Sequence, residues 1–219
     1  MNRFIAFFLL ALLPALSGCL GPSFRYEPSA IAEKRLPIRA VVWLFKDETP
    51  DAPASRSASP WDSSPVFQSN LTRGGSLWRP QLTMDFLSSA MAAELEAQLT
   101  ESAAVVEPSA GSYPIIEEES KGARLFVEGT VQEASWTHSR SNGGSYRLKV
   151  ALSATLVQSN APDLRGFWTK TVELEQPHRG RPAQELAAAV RKAFGGAVEE
   201  LGKALEQEPA AQALAQGLP

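Results

Sequence analysis

The chain predicts an α+β domain built in two layers (α/β), about four strands of mixed sheet with two helices on one face, in the order β-loop-α-β-β-β-α. Three observations carry this reading. Two segments repeat apolar residues at helical spacing, three alternate apolar and polar residues with a period of two, and one runs almost unbroken in β-branched and aromatic residues.

The unbroken run is Pro37-Ile38-Arg39-Ala40-Val41-Val42-Trp43-Leu44-Phe45. A strand without a wet face belongs near the middle of a sheet, covered on both sides. Residues 46–80 then lose all period, with Pro50, Pro53, Pro60, Pro65 and Pro80 among many Ser, Asp and Gly. A loop of that length is uncommon inside a compact domain. Its Trp61, Phe67, Leu71, Leu77 and Trp78 exceed what a freely solvated segment carries, so partial packing on the domain is expected.

The first helix is expected over 82–99, where Met84, Leu87, Met91, Leu95 and Leu99 form one stripe and Phe86, Ala90, Ala93 and Ala97 a second, with Pro80 just ahead of it. A short extra strand is allowed at 103–106. Three strands follow. Leu125, Val127 and Val131 alternate with Glu128, Thr130 and Gln132, then Tyr146, Leu148, Val150, Leu152 and Leu156 with Arg147, Lys149, Ser153 and Thr155, then Trp168, Val172 and Leu174 with Thr169, Thr171 and Glu173. Asn142-Gly143-Gly144 marks a hairpin between the first two, and residues 160–166 turn the chain again.

The second helix spans 182–206 and gathers Leu186, Val190, Phe194, Ala197, Val198, Leu201 and Leu205 on one face. Burying a large apolar side chain contributes on the order of 1.5–3 kcal/mol, so this face must pack on the sheet. Gly195 and Gly196 in mid-helix cost about 1 kcal/mol each relative to Ala, which implies a bend or a close approach to the sheet.

Ahead of the domain, Arg3 precedes the apolar run from Phe4 to Leu13, which is followed by Leu16-Ser17-Gly18-Cys19. The run is too short to span a bilayer, which takes about 20 apolar residues, and has the layout of a removable export signal. Leu16-Ser17-Gly18-Cys19 resembles the lipobox of bacterial lipoproteins, in which the cysteine is acylated and becomes the new N-terminus. An ordinary secretory signal with a chance cysteine is the bland alternative. Two or more acyl chains hold stably where one is marginal, at about 0.8 kcal/mol per buried methylene. The expected organisation is therefore residues 1–18 removed, 19–36 a lipidated tether, 37–207 one domain with its long loop at 46–80, and 208–219 a frayed tail. By the same resemblance Leu20, where an Asp would favour inner-membrane retention, points to the outer membrane facing the periplasm, with the inner membrane as the alternative.

Composition excludes several function classes. The 219-residue chain carries 21 Lys+Arg against 24 Asp+Glu, and loss of Arg3 leaves 20 basic side chains (21 less one), a net charge of about −4. That balance argues against a nucleic-acid groove and supplies no polybasic lipid patch. The single cysteine leaves no internal disulfide, and His138 and His178 stand at no metal-ligand spacing, so neither a metal nor a cofactor is expected.

Two segments resemble a known group. The strand ending Phe45-Lys46-Asp47-Glu48 looks like the opening of envelope lipoproteins of the YajG type. Ala123-Arg124-Leu125-Phe126-Val127-Glu128-Gly129-Thr130-Val131 looks like a strand shared by them and by relatives of the TolB N-terminal, CsgG and LptE type domains. The PqiC-type transport auxiliaries differ, since their opening Tyr-Tyr-x-Leu strand has no counterpart here. The resemblance implies a small accessory domain of an envelope assembly or transport system, and no catalytic residue.

No nucleophile elbow, phosphate loop or His-Glu-x-x-His run occurs. Asp47, Glu48 and Asp51, the run Glu117-Glu118-Glu119, and His138 all read more simply as solvated side chains than as acid-base groups. Arg73-Gly74-Gly75 with Trp78-Arg79 has more promise, because aromatic and Arg side chains dominate binding hot spots. Trp61, Phe67, Arg73, Trp78 and Arg79 are accordingly the candidate partner-binding residues, Cys19 is the lipidation site, and no catalytic residue is assigned. The expected role is a non-enzymatic adaptor that docks an envelope protein or a second copy. The alternative is an envelope hydrolase or small-ligand or lipid carrier with a site under the 46–80 loop.

Overall fold

The computed structural model describes residues 23–29, 31–33, 35–49, 66–71, 78–81, 83–106, 123–139, 143–158, 161–178, 182–209 and 212. Its elements are β1 (Ser23–Arg25), β2 (Leu36–Trp43), β3 (Lys46–Asp47), β4 (Val66–Leu71), β5 (Trp78–Gln81), α1 (Met84–Gln98), β6 (Thr100–Val106), β7 (Ala123–Ser139), β8 (Gly143–Gln158), β9 (Ala161–His178) and α2 (Pro182–Gln207). The main sheet runs β6-β2-β7-β8-β9, with β3 added on β7. Strands β6 and β7 flank β2 in parallel, while β7, β8 and β9 form an antiparallel meander. The fold is α+β with a mixed sheet, as the patterning predicts.

The unbroken apolar run of β2 has its explanation in this central place. Ile38, Ala40 and Val42 face the helices in the main core, while Val41 is buried on the opposite face with Phe126, packed by Trp43 and Val106. The predicted apolar face of α2, from Leu186 through Phe194 to Leu205, is buried throughout. On α1, Leu87, Met91 and Leu95 of one stripe and Phe86, Ala90 and Ala97 of the other are buried, because the helix meets the sheet, α2 and the N-terminal segment. Thr83 caps it, its hydroxyl accepting the Phe86 N–H at 3.1 Å.

The sheet is wider than four strands. Thr100–Val106 is the extra strand allowed from sequence, and β3 extends the line of β2 past a bend at Leu44 and Phe45. That bend drops the Phe45 ring onto Gly129, where an added Cβ would lie 2.5 Å from the ring atoms, and Phe194 meets the ring edge-on at 6.1 Å. The glycine of the resemblance strand is thus the seat of a core aromatic.

Two turns are placed differently from the sequence reading. Gly143 and Gly144 are already in the β7–β8 ladder, opposite Ser139 and His138. β9 begins at Ala161, paired with Gln158 at the end of β8, and Gly166 sits at a register shift that leaves Phe167 as an extra residue opposite Ala154 and Thr155. A bulge tolerates glycine where a turn was expected.

The stretch 46–80 is not without regular structure. It contributes β3, β4 and β5, and β4 pairs on one side with β5 and on the other with β1, giving a three-stranded sheet beside α2. These strands escaped the period because their polar and proline residues, Gln68, Ser69, Asn70 and Pro80, interrupt it.

Candidate functional site

The most chemically specific place in the described structure is a buried carboxyl group that the sequence reading passed over. Glu94 lies on α1 in line with Leu87 and Met91 and is 0% exposed. A polar group in such a position costs several kcal/mol unless its hydrogen-bonding capacity is met. Three donors meet it. The Tyr26 hydroxyl donates to Oε1 at 2.6 Å, the Ser29 backbone N–H reaches Oε1 at 3.1 Å and Oε2 at 3.2 Å, and Gln98 Nε2 donates to Oε2 at 2.6 Å.

Two of the donors come from the N-terminal segment, far away in sequence. Tyr26 is itself buried, its ring edge-on to Phe86 at 5.8 Å. Burial first, then the hydrogen bond to Glu94 and the charge there, push the phenol well above its ordinary range, with Arg191 opposing. Opposite, α2 comes in at Gly195, where a Cβ would stand 2.7 Å from Ser29 Oγ and 3.4 Å from Glu94 Oε2. The mid-helix glycine therefore permits a close approach to α1 and the N-terminal segment, rather than to the sheet.

The segment continues along the end of α1. The last carbonyls of a helix have no partner within it, and here the segment supplies donors. Arg35 Nη1 binds Glu96 O at 2.9 Å, Ala32 N binds Ala97 O at 2.8 Å and Leu36 N binds Leu99 O at 2.7 Å. Arg35 also brings a cation to the negative end of a helix whose own last turn has none. Residues 26–36 are thus a strap across α1, whereas the sequence alone suggested an open tether from 19 to 36. The difference arises because backbone N–H groups make most of these bonds, and any non-proline residue supplies those.

Beyond the strap an open groove of about 680 Å³ runs between Leu36, Leu99, Val198 and Leu205, with Lys203 and Glu199 paired at 2.7 Å on its rim. Asp47 serves a local turn, accepting from Thr49 N and Oγ1. Among the described residues, no group of three His, Cys, Asp or Glu side chains is placed to hold a metal ion, and no helix is long and apolar enough to cross a membrane.

Of the residues singled out for partner binding, Trp61 and Arg73 lie outside the described residues, as do Cys19, Asp51 and the run Glu117-Glu118-Glu119. The structure brings the other three into the small sheet. Phe67 pairs with Phe24 of β1, Trp78 with Leu71 and Arg79 with Asn70. By alternation, positions 24, 67, 71 and 78 share one face and positions 25, 68, 70 and 79 the other.

Comparison with known proteins returns structures only. No family model and no curated protein matches the chain. The PelC dodecamer from Paraburkholderia phytofirmans is similar at 14% identity and TM-score 0.42, over 80% of this chain and 97% of that one. The hypothetical protein CT253 from Chlamydia trachomatis is similar at 10% identity and TM-score 0.45, over 78% and 99%. Lipoprotein GNA1162 from Neisseria meningitidis is similar at 14% identity and TM-score 0.36, over 75% and 99%. Likenesses of this size say nothing about what the chain binds or does.

Proposed function

We propose that the protein is a lipid-anchored, periplasm-facing lipoprotein of the bacterial outer membrane that acts as a non-enzymatic accessory or adaptor of an envelope assembly or transport system. The observation that carries the reading is Leu16-Ser17-Gly18-Cys19 behind a short apolar signal, with the chain entering β1 at Ser23. The YajG-type resemblance of the strands around Val41 and Gly129 supports an accessory role. The residues proposed to meet a partner, another envelope protein or a second copy, are Trp61, Phe67, Arg73, Trp78 and Arg79, because aromatic and Arg side chains concentrate binding energy.

Mass spectrometry of the membrane-extracted protein tests the anchor: the expected product begins at an acylated Cys19, and Cys19→Ser should leave the membrane fraction. A free thiol at Cys19, or unchanged fractionation of the Ser variant, overturns it. Photo-crosslinkers at positions 61, 67, 73, 78 and 79 in intact cells test the adaptor role, with a discrete crosslinked species expected. Replacement of all five by Ala without effect on crosslinks or envelope phenotype counts against it.

A further inference from the structure

β6 and the outer side of α1 form one flank of the domain. β6 ends the main sheet, with β2 on one side and no neighbour among the described residues on the other. An unpaired strand edge invites another strand, and folds blunt such edges with lysine, proline or a bulge. β9, at the opposite end of the sheet, has all three: Lys170, tied to Glu200 at 2.7 Å, Pro177, and the register shift at Gly166. From Ser102 to Val106, β6 has none of them, and its register on β2 is even throughout. Val105 there is a large apolar side chain left 36% exposed.

α1 is seated over β2 and β6, while α2 packs toward β9. Its Glu94 and Gln98 meet α2 at Gly195, and its Phe86 meets Tyr26 of the strap. Asp85 and Ser89 precede Glu94 and Gln98 respectively by about two and a half turns, so they point away from α2 and overhang the β6 edge. Glu96 shares that stripe, which is half-buried to exposed.

We propose that this flank is a homodimer interface, in which β6 pairs antiparallel with β6 of a second copy about a two-fold axis at Ala104. The pairing sets Val105 against the partner's Ala103 and Ser102 against the partner's Val106. From Thr100 to Ala104 the strand rises about 13 Å, which α1 retraces in about nine residues, from Gln98 back to Ser89. The axis therefore passes beside Ser89, a small side chain. With strands about 4.8 Å apart and α1 over β2 and β6, the two α1 axes come about 10 Å apart, an ordinary packing distance. The antiparallel helices are also complementary in charge. Arg35, exposed and bound to Glu96 O, comes level with the partner's Asp85 to within one helical turn, and Glu96 faces the N-terminal end of the partner's α1, the positive end of its dipole. This surface is distinct from the five partner-binding positions proposed above, and the pairing holds whether or not Cys19 carries lipid.

The test places single cysteines in the full chain and oxidises them in intact cells, with the parent chain showing any background from Cys19. Ala104→Cys, which faces its own copy across the axis at a separation a disulfide spans, is expected to give a linked dimer. Thr171→Cys, on the exposed face of β9, is expected to give none above background. Adding Val105→Lys to Ala104→Cys should abolish the link, with urea unfolding unchanged because that side chain is exposed. Asp85→Arg should lower the yield severalfold, and Arg35→Glu in the same chain should restore it, since the swap re-forms the pair between copies. Absence of the link at Ala104→Cys, equal yields at 104 and 171, or a link that Val105→Lys leaves intact overturns the proposal.

Discussion

Gly129 and Tyr26 show how single residues in this fold are fixed by what lies against them. The Phe45 ring occupies the space a side chain at 129 would need, wedged between β7 and Phe194. Overpacking of that kind typically costs 1–3 kcal/mol. Gly129→Ala should therefore lower the unfolding free energy measured in urea by that order, and Phe45→Leu in the same chain should restore part of the loss. An alanine variant as stable as the parent would mean that Phe45 moves aside at no cost. Tyr26 has a phenol held neutral by burial and by Glu94, so its pKa is higher in the folded chain than in the unfolded one. Above the ordinary phenol value near 10 the unfolded chain releases this proton and the folded chain keeps it, so stability is full below that pH and falls as pH rises, by up to about 1.4 kcal/mol per unit. Tyr26→Phe should be less stable at neutral pH, since Glu94 loses a donor, yet decline less steeply in alkali. Equal alkaline slopes for the two proteins would exclude a buried Tyr26.

At the scale of the element, the two glycines of α2 are predicted to behave in opposite ways. Gly196 has nothing within 4 Å of an added Cβ, whereas at Gly195 the Cβ would meet Ser29 Oγ at 2.7 Å. Gly196→Ala should stabilise the protein by up to about 1 kcal/mol through helix propensity, and Gly195→Ala should destabilise it and loosen the strap. Thermal unfolding of both variants checks the sign, and a stabilising Gly195→Ala would place α2 farther from α1 than the structure does. The periodic elements were legible in the sequence because burial on one face writes a repeat of two or of three to four, and α1, α2, β7, β8 and β9 all carry one. The strap was not legible, because most of its bonds are donated by backbone N–H groups, which leave no residue pattern. One signal was available and went unread: Glu94 interrupts the apolar stripe that includes Leu87 and Met91, and a charged residue there needs partners from elsewhere in the chain. The strands β4 and β5 hid for another reason, since Asn70, Arg79 and Pro80 are as compatible with a loop as with a sheet edge.

At the scale of the whole molecule, one core joins both helices to the sheet and includes Tyr26 of the strap. Releasing the strap alone would strand two oxygens of Glu94 with Gln98 as their remaining donor and would take the donors from the buried carbonyls of Ala97 and Leu99. Each unsatisfied buried group costs about 1–3 kcal/mol. Local opening of the strap should therefore be rarer than its length suggests, and it should come apart only when the domain does. Native-state hydrogen exchange of Cys19→Ser protein reads this directly. The amides of Ser29, Ala32 and Leu36 are expected to exchange as slowly as those in the middle of β8, with the same dependence on urea. In Glu94→Gln, an amide nitrogen replaces one acceptor and must face Ser29 N–H or Gln98, so the strap amides should speed up by orders of magnitude while β8 keeps its protection. Fast exchange of the strap in the parent protein would make residues 26–36 a loose tether after all.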